Sequence, residues 1–122
     1  MTSPHVTPAF AGRARAAVSP GHSGFHGTVD FVEAGAGDGR FLQDFARALA
    51  EEDPDFSRRV RLTAVERSPI ARERLSALGV ASRVLESAEE LAPGSVSGWI
   101  FSNELYDALP VARVCGAADG LQ

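Results

Sequence analysis

The chain contains no lysine, and all 12 of its basic residues are arginine. It therefore has neither a Schiff-base lysine nor the lysine with which a P-loop holds nucleotide phosphates. Its single cysteine, Cys115, excludes an internal disulfide, and His5, His22 and His26 lack the spacing of a zinc site. We predict that the chain binds no metal and works in a reducing compartment, the cytoplasm.

Basic surface and long apolar segments are lacking as well. Sixteen acidic residues give the 122-residue chain a net charge of −4, so the composition does not indicate a nucleic-acid partner. No apolar run is long enough to span a membrane. Residues 1–29 hold no acidic residue, a feature shared with organelle transit peptides, but they have no clear amphipathic stripe, which favours an ordinary segment of the protein.

What the sequence does contain is an alternation of strand-like and helix-like segments. Phe41, Phe45 and Leu49 recur at intervals of four residues, which is typical of one face of a helix. Residues 1–27, rich in Pro, Gly, Ser and His, are predicted as a loop-like segment. The pattern predicts helices at 40–51 and 69–78 and strands at 28–33, 60–65, 80–85 and 96–102.

Short polar and small residues mark where these elements begin and end. Ser68 is suited to cap the second helix, Pro69 to be its first residue and Gly79 to follow its last. The acidic, proline-containing segment 51–55 is predicted as a solvated loop. Ser87 opens a capping-box pattern, which predicts a brief helix after the third strand.

Strands that alternate with helices predict a Rossmann-like α/β fold with a doubly wound parallel sheet. Such sheets bind ligands beyond the carboxyl ends of their strands. Four polar clusters follow the four predicted strands: the glycine-rich turn 35–39, Glu66, the pair 86–87 and the pair 103–104. We expect all four clusters to lie along one edge of the sheet.

The strongest local signal is the segment 33–39, Glu-Ala-Gly-Ala-Gly-Asp-Gly. A dinucleotide fingerprint requires Gly or Ala where Arg40 stands, and Glu33 would repel a pyrophosphate. The ammonium and sulfonium groups of S-adenosylmethionine (SAM) would instead be attracted to this carboxylate. We therefore predict SAM as the cofactor, bound by Glu33, Gly35, Gly37 and Gly39. The alternatives are an NAD(P) site and a tight turn that binds nothing.

Two further strand ends are candidate contacts for a nucleotide. Glu66 follows the second strand, where a carboxylate is suited to hold ribose hydroxyls; its alternative is a surface ion pair with Arg67 or Arg72. Ser87 follows the third strand, near the expected position of the adenine edge. Capping of the following short helix is an equally good interpretation of Ser87.

Three motifs together resemble one family. Residues 103–111, Asn-Glu-Leu-Tyr-Asp-Ala-Leu-Pro-Val, are similar to the signature N-E-x-x-D-A-L-P-V of the MidA family of class I SAM-dependent methyltransferases, and the glycine-rich segment is similar to that family's motif. Residues 2–10 resemble its T-S-P-E-[IV]-x-x-x-F segment. His5 stands where the family has Glu, and Asp38 where it commonly has Arg.

The resemblance implies methylation of a protein, and of arginine if the chain acts like the mitochondrial member that assembles complex I. Carboxylates near the methyl group would hold and polarise a guanidinium. On this basis Glu104 is the first catalytic candidate and Asp107 the second, with Asn103 shaping the cofactor pocket. A role in capping or in a turn is the alternative for Asp107.

The resemblance also predicts how much of the fold this chain contains. The class I fold has seven strands and only four are recognisable, so we expect a fragment of a longer enzyme. Its parts would be a lid or loop segment, 1–27, a SAM-binding core, 28–114, and the start of a continuation, 115–122. The rival functions are an NAD(P)-dependent oxidoreductase and a non-catalytic remnant that keeps the SAM pocket.

Overall fold

A computed structural model describes residues 26–103, 105–112, 116–117 and 120–121. The main sheet has four parallel strands in the order β3-β2-β1-β4. The predicted Rossmann-like parallel α/β sheet, with about four strands, is therefore confirmed. The strands are β1 (Val29–Ala34), β2 (Val60–Val65), β3 (Arg83–Leu85) and β4 (Gly98–Ser102), with a separate antiparallel pair, β5 (Gly116–Ala117) and β6 (Gly120–Leu121).

Helices separate the first three strands. The described helices are α1 (Arg40–Glu52), α2 (Pro54–Ser57) and α3 (Pro69–Leu78), with 3-10 turns at Ala88–Glu90 and Tyr106–Ala108. Ser68 and Gly79 bound α3 as predicted: the Ser68 hydroxyl accepts a hydrogen bond from Ala71 N–H, and Gly79 has a left-handed φ of 66°. None of the helices in the described ranges is long and apolar enough to cross a membrane.

The core lies between α1 and one face of the sheet. Side chains alternate along a strand, so Phe31 and Glu33 of β1 share the face that α1 covers. The ring of Phe31 stacks on that of Phe45 with centroids 4.2 Å apart, and the Phe41 ring stacks on that of Phe101 at 4.7 Å. The helical spacing of phenylalanines in α1 thus matches a layer of aromatic rings that anchors the helix over β1.

The predicted loop at 51–55 is wrong. The first helix continues to Glu52, and Asp53 then caps α2, accepting a hydrogen bond from Phe56 N–H at 3.0 Å. Phe56 is buried against the core. A four-residue helix with one buried apolar side chain has no periodicity to detect, which is why the pattern failed here.

Three further expectations need correction. The third strand begins at Arg83 rather than residue 80. Just before it, the N–H and the hydroxyl of Ser82 both donate to the carbonyl of Leu62. The fourth begins at Gly98 rather than residue 96. Helical spacing in the sequence predicts a buried apolar stripe on α3, formed by Ile70, Ala71, Leu75 and Leu78. Only Leu75 is fully buried, whereas Ile70 is 64% exposed.

A buried acidic residue joins three strands on the opposite face of the sheet. Asp30 of β1 accepts hydrogen bonds from the Arg61 guanidinium of β2 at 2.6 Å and from Ser97 N–H, just before β4, at 2.9 Å. Burial alone would raise the pKa of Asp30, but these two hydrogen bonds and the positive charges of Arg61 and Arg83 together hold the pKa below its ordinary value. The charge is therefore satisfied within the sheet.

Gly98 is predicted to be essential for the pairing of β4 with β1. A Cβ atom there would lie 1.9 Å from the carbonyl oxygen of Asp30, so Gly98→Ala must push the strands apart. We expect a loss of about 3 kcal/mol or more in the free energy of unfolding, measured by urea denaturation. The control is Gly79→Ala, whose Cβ meets nothing within 4 Å and whose left-handed backbone costs about 1 kcal/mol. Equal losses in the two variants would contradict this account.

Candidate functional site

The carboxyl ends of the parallel strands meet at one edge of the sheet, as the sequence predicted. The glycine loop 35–39 leaves β1 and turns directly over the end of β2. Gly35 N–H and Ala36 N–H both donate to the carbonyl of Val65, at 2.8 and 3.1 Å. The loop is therefore held to the neighbouring strand by its own backbone before any side chain contributes.

Gly37 and Gly39 of the loop are each suited to their positions for a different structural reason. A Cβ on Gly39 would lie 2.6 Å from Cδ2 of Leu75, so its absence lets the start of α1 pack against α3. Gly37 has a left-handed φ of 56°, and a Cβ there would meet nothing within 4 Å. The space beside Gly37 is therefore open, as close approach of a ligand to the backbone requires.

Glu33 is a buried carboxylate at the end of β1. It is 4% exposed, and its Oε2 atom is buried without a hydrogen-bond partner. Burial, and then the negative charges of Asp38 and Glu66, raise the pKa of Glu33 to about 8 from an ordinary value of 4.5. A buried carboxylate oxygen without a partner is costly, so this position suits a donor that the described residues do not supply.

A cation fits that requirement. An ammonium group donates hydrogen bonds and brings the opposite charge, so it would stabilise the ionised form of Glu33. A diphosphate would add negative charge beside three carboxylates, those of Glu33, Asp38 and Glu66. The unpartnered Oε2 atom and the open space beside Gly37 therefore fit the aminoacyl end of SAM.

Glu66 lies half-buried after β2 and touches the glycine loop. Its Oε2 atom accepts a hydrogen bond from Gly37 N–H at 2.8 Å, and its Oε1 atom accepts one from Ser68 N–H at 2.9 Å. The expected alternative, an ion pair of this carboxylate with Arg67 or Arg72, is not what the structure has. Arg72 donates instead to the backbone carbonyls of Glu66 and Arg67, at 2.9 and 2.7 Å.

At the end of β3, the side chains of the following 3-10 turn bond to that turn's own backbone. The Ser87 hydroxyl accepts from Glu89 N–H, and the Glu90 carboxylate accepts from the N–H groups of Ser87 and Glu86. These bonds form the predicted capping box and hold the pKa of Glu90 below its ordinary value. Glu86 pairs with Arg72 at 3.2 Å. The hydroxyl of Ser87 is thus engaged in the cap, the interpretation that competed with a contact to adenine.

The fourth strand end comes close to the glycine loop. Asn103 follows β4 and is half-buried. Leu105 lies against Gly35, where an added Cβ would come within 2.9 Å of its Cδ1 atom. Asp107 is exposed on the 3-10 turn Tyr106–Ala108. Glu104, the first catalytic candidate, lies outside the described residues, as does His5.

Arg72 makes contacts along this edge of the sheet that the sequence did not predict. Its guanidinium joins the turn after β2 to Glu86 after β3. No sequence spacing identifies such a bridge, because two of its partners are backbone carbonyls and the third, Glu86, is 14 positions away. Within the described ranges no three His, Cys, Asp or Glu side chains are grouped so that they could hold a metal ion. An open cleft of about 450 Å³ between α3 and β3 involves no residue of the segment 33–39.

Comparison with known proteins assigns the chain to a family. A family described as "Putative S-adenosyl-L-methionine-dependent methyltransferase" matches residues 18–122. The chain belongs to this family. SAM is accordingly its cofactor, in agreement with the chemistry of Glu33 and the glycine loop. The search of curated proteins gave no match.

The charge of Glu33 is predicted to destabilise the free protein. Because folding raises the pKa of Glu33 from 4.5 to about 8, the folded chain keeps a proton that the unfolded chain releases between these pH values. Stability is therefore lost as pH rises through this window. Glu33→Gln should remove the loss and be more stable than the native chain at pH 8.5, by up to about 5 kcal/mol.

Thermal unfolding of both proteins between pH 4.5 and 8.5 measures this effect. The control is Glu51→Gln, which removes an exposed carboxylate on α1. A native chain whose stability stays level across the window, or a Glu33→Gln protein that loses stability as steeply, would refute the assignment of a buried proton to Glu33.

Proposed function

We propose that this chain holds SAM at the glycine loop for methyl transfer to a protein side chain, with arginine as the first acceptor to test. The observation that carries the proposal is the buried, unpartnered Oε2 atom of Glu33 beside an open, left-handed glycine. Family membership supports methyl transfer from SAM. The protein acceptor rests on the resemblance of residues 103–111 to the MidA signature.

Each cofactor contact in the proposal follows from position on the edge of the sheet. Glu33 receives the ammonium group, and the loop of Gly35, Gly37 and Gly39 lets the backbone approach the cofactor. Glu66 accepts hydrogen bonds from ribose hydroxyls with the lone pairs that the backbone leaves free. Asn103 borders the cofactor from the end of β4, and Ser87 lies on the same edge.

The methyl group of SAM is already activated by its sulfonium, so the protein chiefly has to position the acceptor. In the proposal Glu104 holds the acceptor nitrogen and stabilises the positive charge around it, and Asp107 assists from the following turn. Asp107 is exposed and therefore available to a large substrate. The exposure of the whole turn Tyr106–Ala108 also accords with a protein substrate.

The cellular location and the partners of the enzyme are also proposed from its sequence. We propose that it acts in the cytoplasm, or in mitochondria in a eukaryote, without a nucleic-acid or membrane partner. Its net charge of −4 supports contact with neutral or basic protein segments.

Binding experiments test the cofactor site. Isothermal titration should show saturable binding of SAM and none of NADH. The affinity for SAM should rise from pH 6 to pH 8 as Glu33 ionises, and Glu33→Gln should lower it about 10- to 100-fold at pH 8, the range expected for a charged hydrogen bond. Glu51→Gln should leave the affinity unchanged. Saturable binding of NADH without SAM would establish the oxidoreductase alternative instead.

Methyl transfer requires a second experiment. Incubation with radiolabelled SAM and a mixture of arginine-rich proteins should label protein, and amino-acid analysis should place the label on arginine. Glu104→Gln should reduce the transfer rate by at least 100-fold while leaving SAM affinity within about threefold, because the carboxylate acts on the acceptor. SAM binding without any transfer, by this chain or a longer form of it, would favour the non-catalytic remnant.

A further inference from the structure

The geometry points to a second role for Glu66: we propose that this carboxylate clamps the glycine loop to the start of α3 and so couples the ribose end of the site to its aminoacyl end. The inference rests on the proposed function. It makes Glu66 a positioning residue for the loop, in addition to a contact for ribose.

The clamp consists of two hydrogen bonds that lead in different directions. Gly37, at the tip of the loop, is 29 positions away in sequence, and its N–H donates to Oε2 at 2.8 Å. Ser68, which caps α3, donates its N–H to Oε1 at 2.9 Å. One side chain therefore joins the tip of the loop to the cap of α3. This link is additional to the bonds of Gly35 and Ala36 to Val65, which anchor only the base of the loop.

Only a carboxylate completes this arrangement. Both partners are N–H donors, so both side-chain atoms of residue 66 must be acceptors. The amide of a glutamine would turn an N–H₂ group towards either Gly37 or Ser68 and lose one of the bonds. The left-handed backbone of Gly37 directs its N–H at the carboxylate, so the same conformation serves the clamp and the open side of the loop.

The clamp leaves room for a ligand. A carboxylate has about four lone-pair sites, and the two backbone donors occupy two of them. A ribose that binds through the remaining sites fixes the rotamer of Glu66 and thereby steadies Gly37. Binding of adenosine alone should therefore order the part of the loop that lies beside the aminoacyl end of SAM, although adenosine does not reach it.

The test measures exchange of single backbone amides with water by NMR. In the unliganded native chain, Gly37 and Ser68 should exchange slowly. Glu66→Gln should accelerate at least one of them about 10- to 100-fold, which is the factor expected for loss of a hydrogen bond to a charged group. The amide of Gly35, which bonds to Val65, serves as the internal reference.

Glu86→Gln is the matched control. It removes one negative charge from the same edge of the sheet, and Glu86 pairs with Arg72 rather than with the loop. Its exchange rates at Gly37 and Ser68 should stay within about twofold of the native ones. Equal acceleration in both variants would mean that lost charge, and not a lost clamp, changes the rates, and would overturn the proposal.

The second part of the test measures amide exchange with adenosine bound. At saturation it should slow exchange at Gly37 at least threefold in the native chain and leave Gly37 unaffected in Glu66→Gln. Adenosine that binds without slowing Gly37 overturns the coupling. If Glu66→Gln does not fold, fast exchange of Gly37 in the native chain still disproves the clamp. If neither adenosine nor S-adenosylhomocysteine binds, the proposed function fails, and the unliganded rates alone decide whether the clamp exists.

Discussion

The parallel pairing of β1 between β2 and β4 is the constraint on which the rest of the structure depends. It brings the ends of all three strands to one edge, and the glycine loop inherits its position from the bonds that Gly35 and Ala36 make to Val65. The stacked phenylalanines fix α1 over the same strands. Asp30 ties the three strands from the other face. The site is therefore a consequence of sheet register and not of a separate binding module.

Much of this was predictable from sequence because the signals are periodic or local. The phenylalanine spacing predicts α1, and Ser68 with Pro69 predicts the start of α3, since capping depends on adjacent residues alone. Alternation of strands and helices predicts that the polar strand ends share an edge. These inferences need no knowledge of how side chains pack, which is why they agree with the structure.

Other features depend on three-dimensional distances that spacing does not encode. The short helix around Phe56 has one apolar contact and no repeat, and the exposure of Ile70 follows from how α3 lies beside the sheet edge. An ion pair with a neighbouring arginine was the alternative to ribose contact for Glu66, yet its carboxylate bonds to backbone N–H groups. Backbone partners leave no trace in residue identity, and the same reason hides the bridge made by Arg72.

The burial of Glu33 has a consequence for the influence of ionic strength. Exposed pairs such as Arg58 with Asp55 lie in solvent, where dissolved ions screen electrostatic attraction beyond roughly 8–10 Å at physiological salt. The Oε2 atom of Glu33 is out of contact with solvent, so mobile ions cannot accumulate around it. Burial also keeps this carboxyl protonated below about pH 8 in the free chain, so it attracts a cation little from a distance. Once Glu33 pairs with a cation at contact, salt screens that pair less than it screens an exposed one.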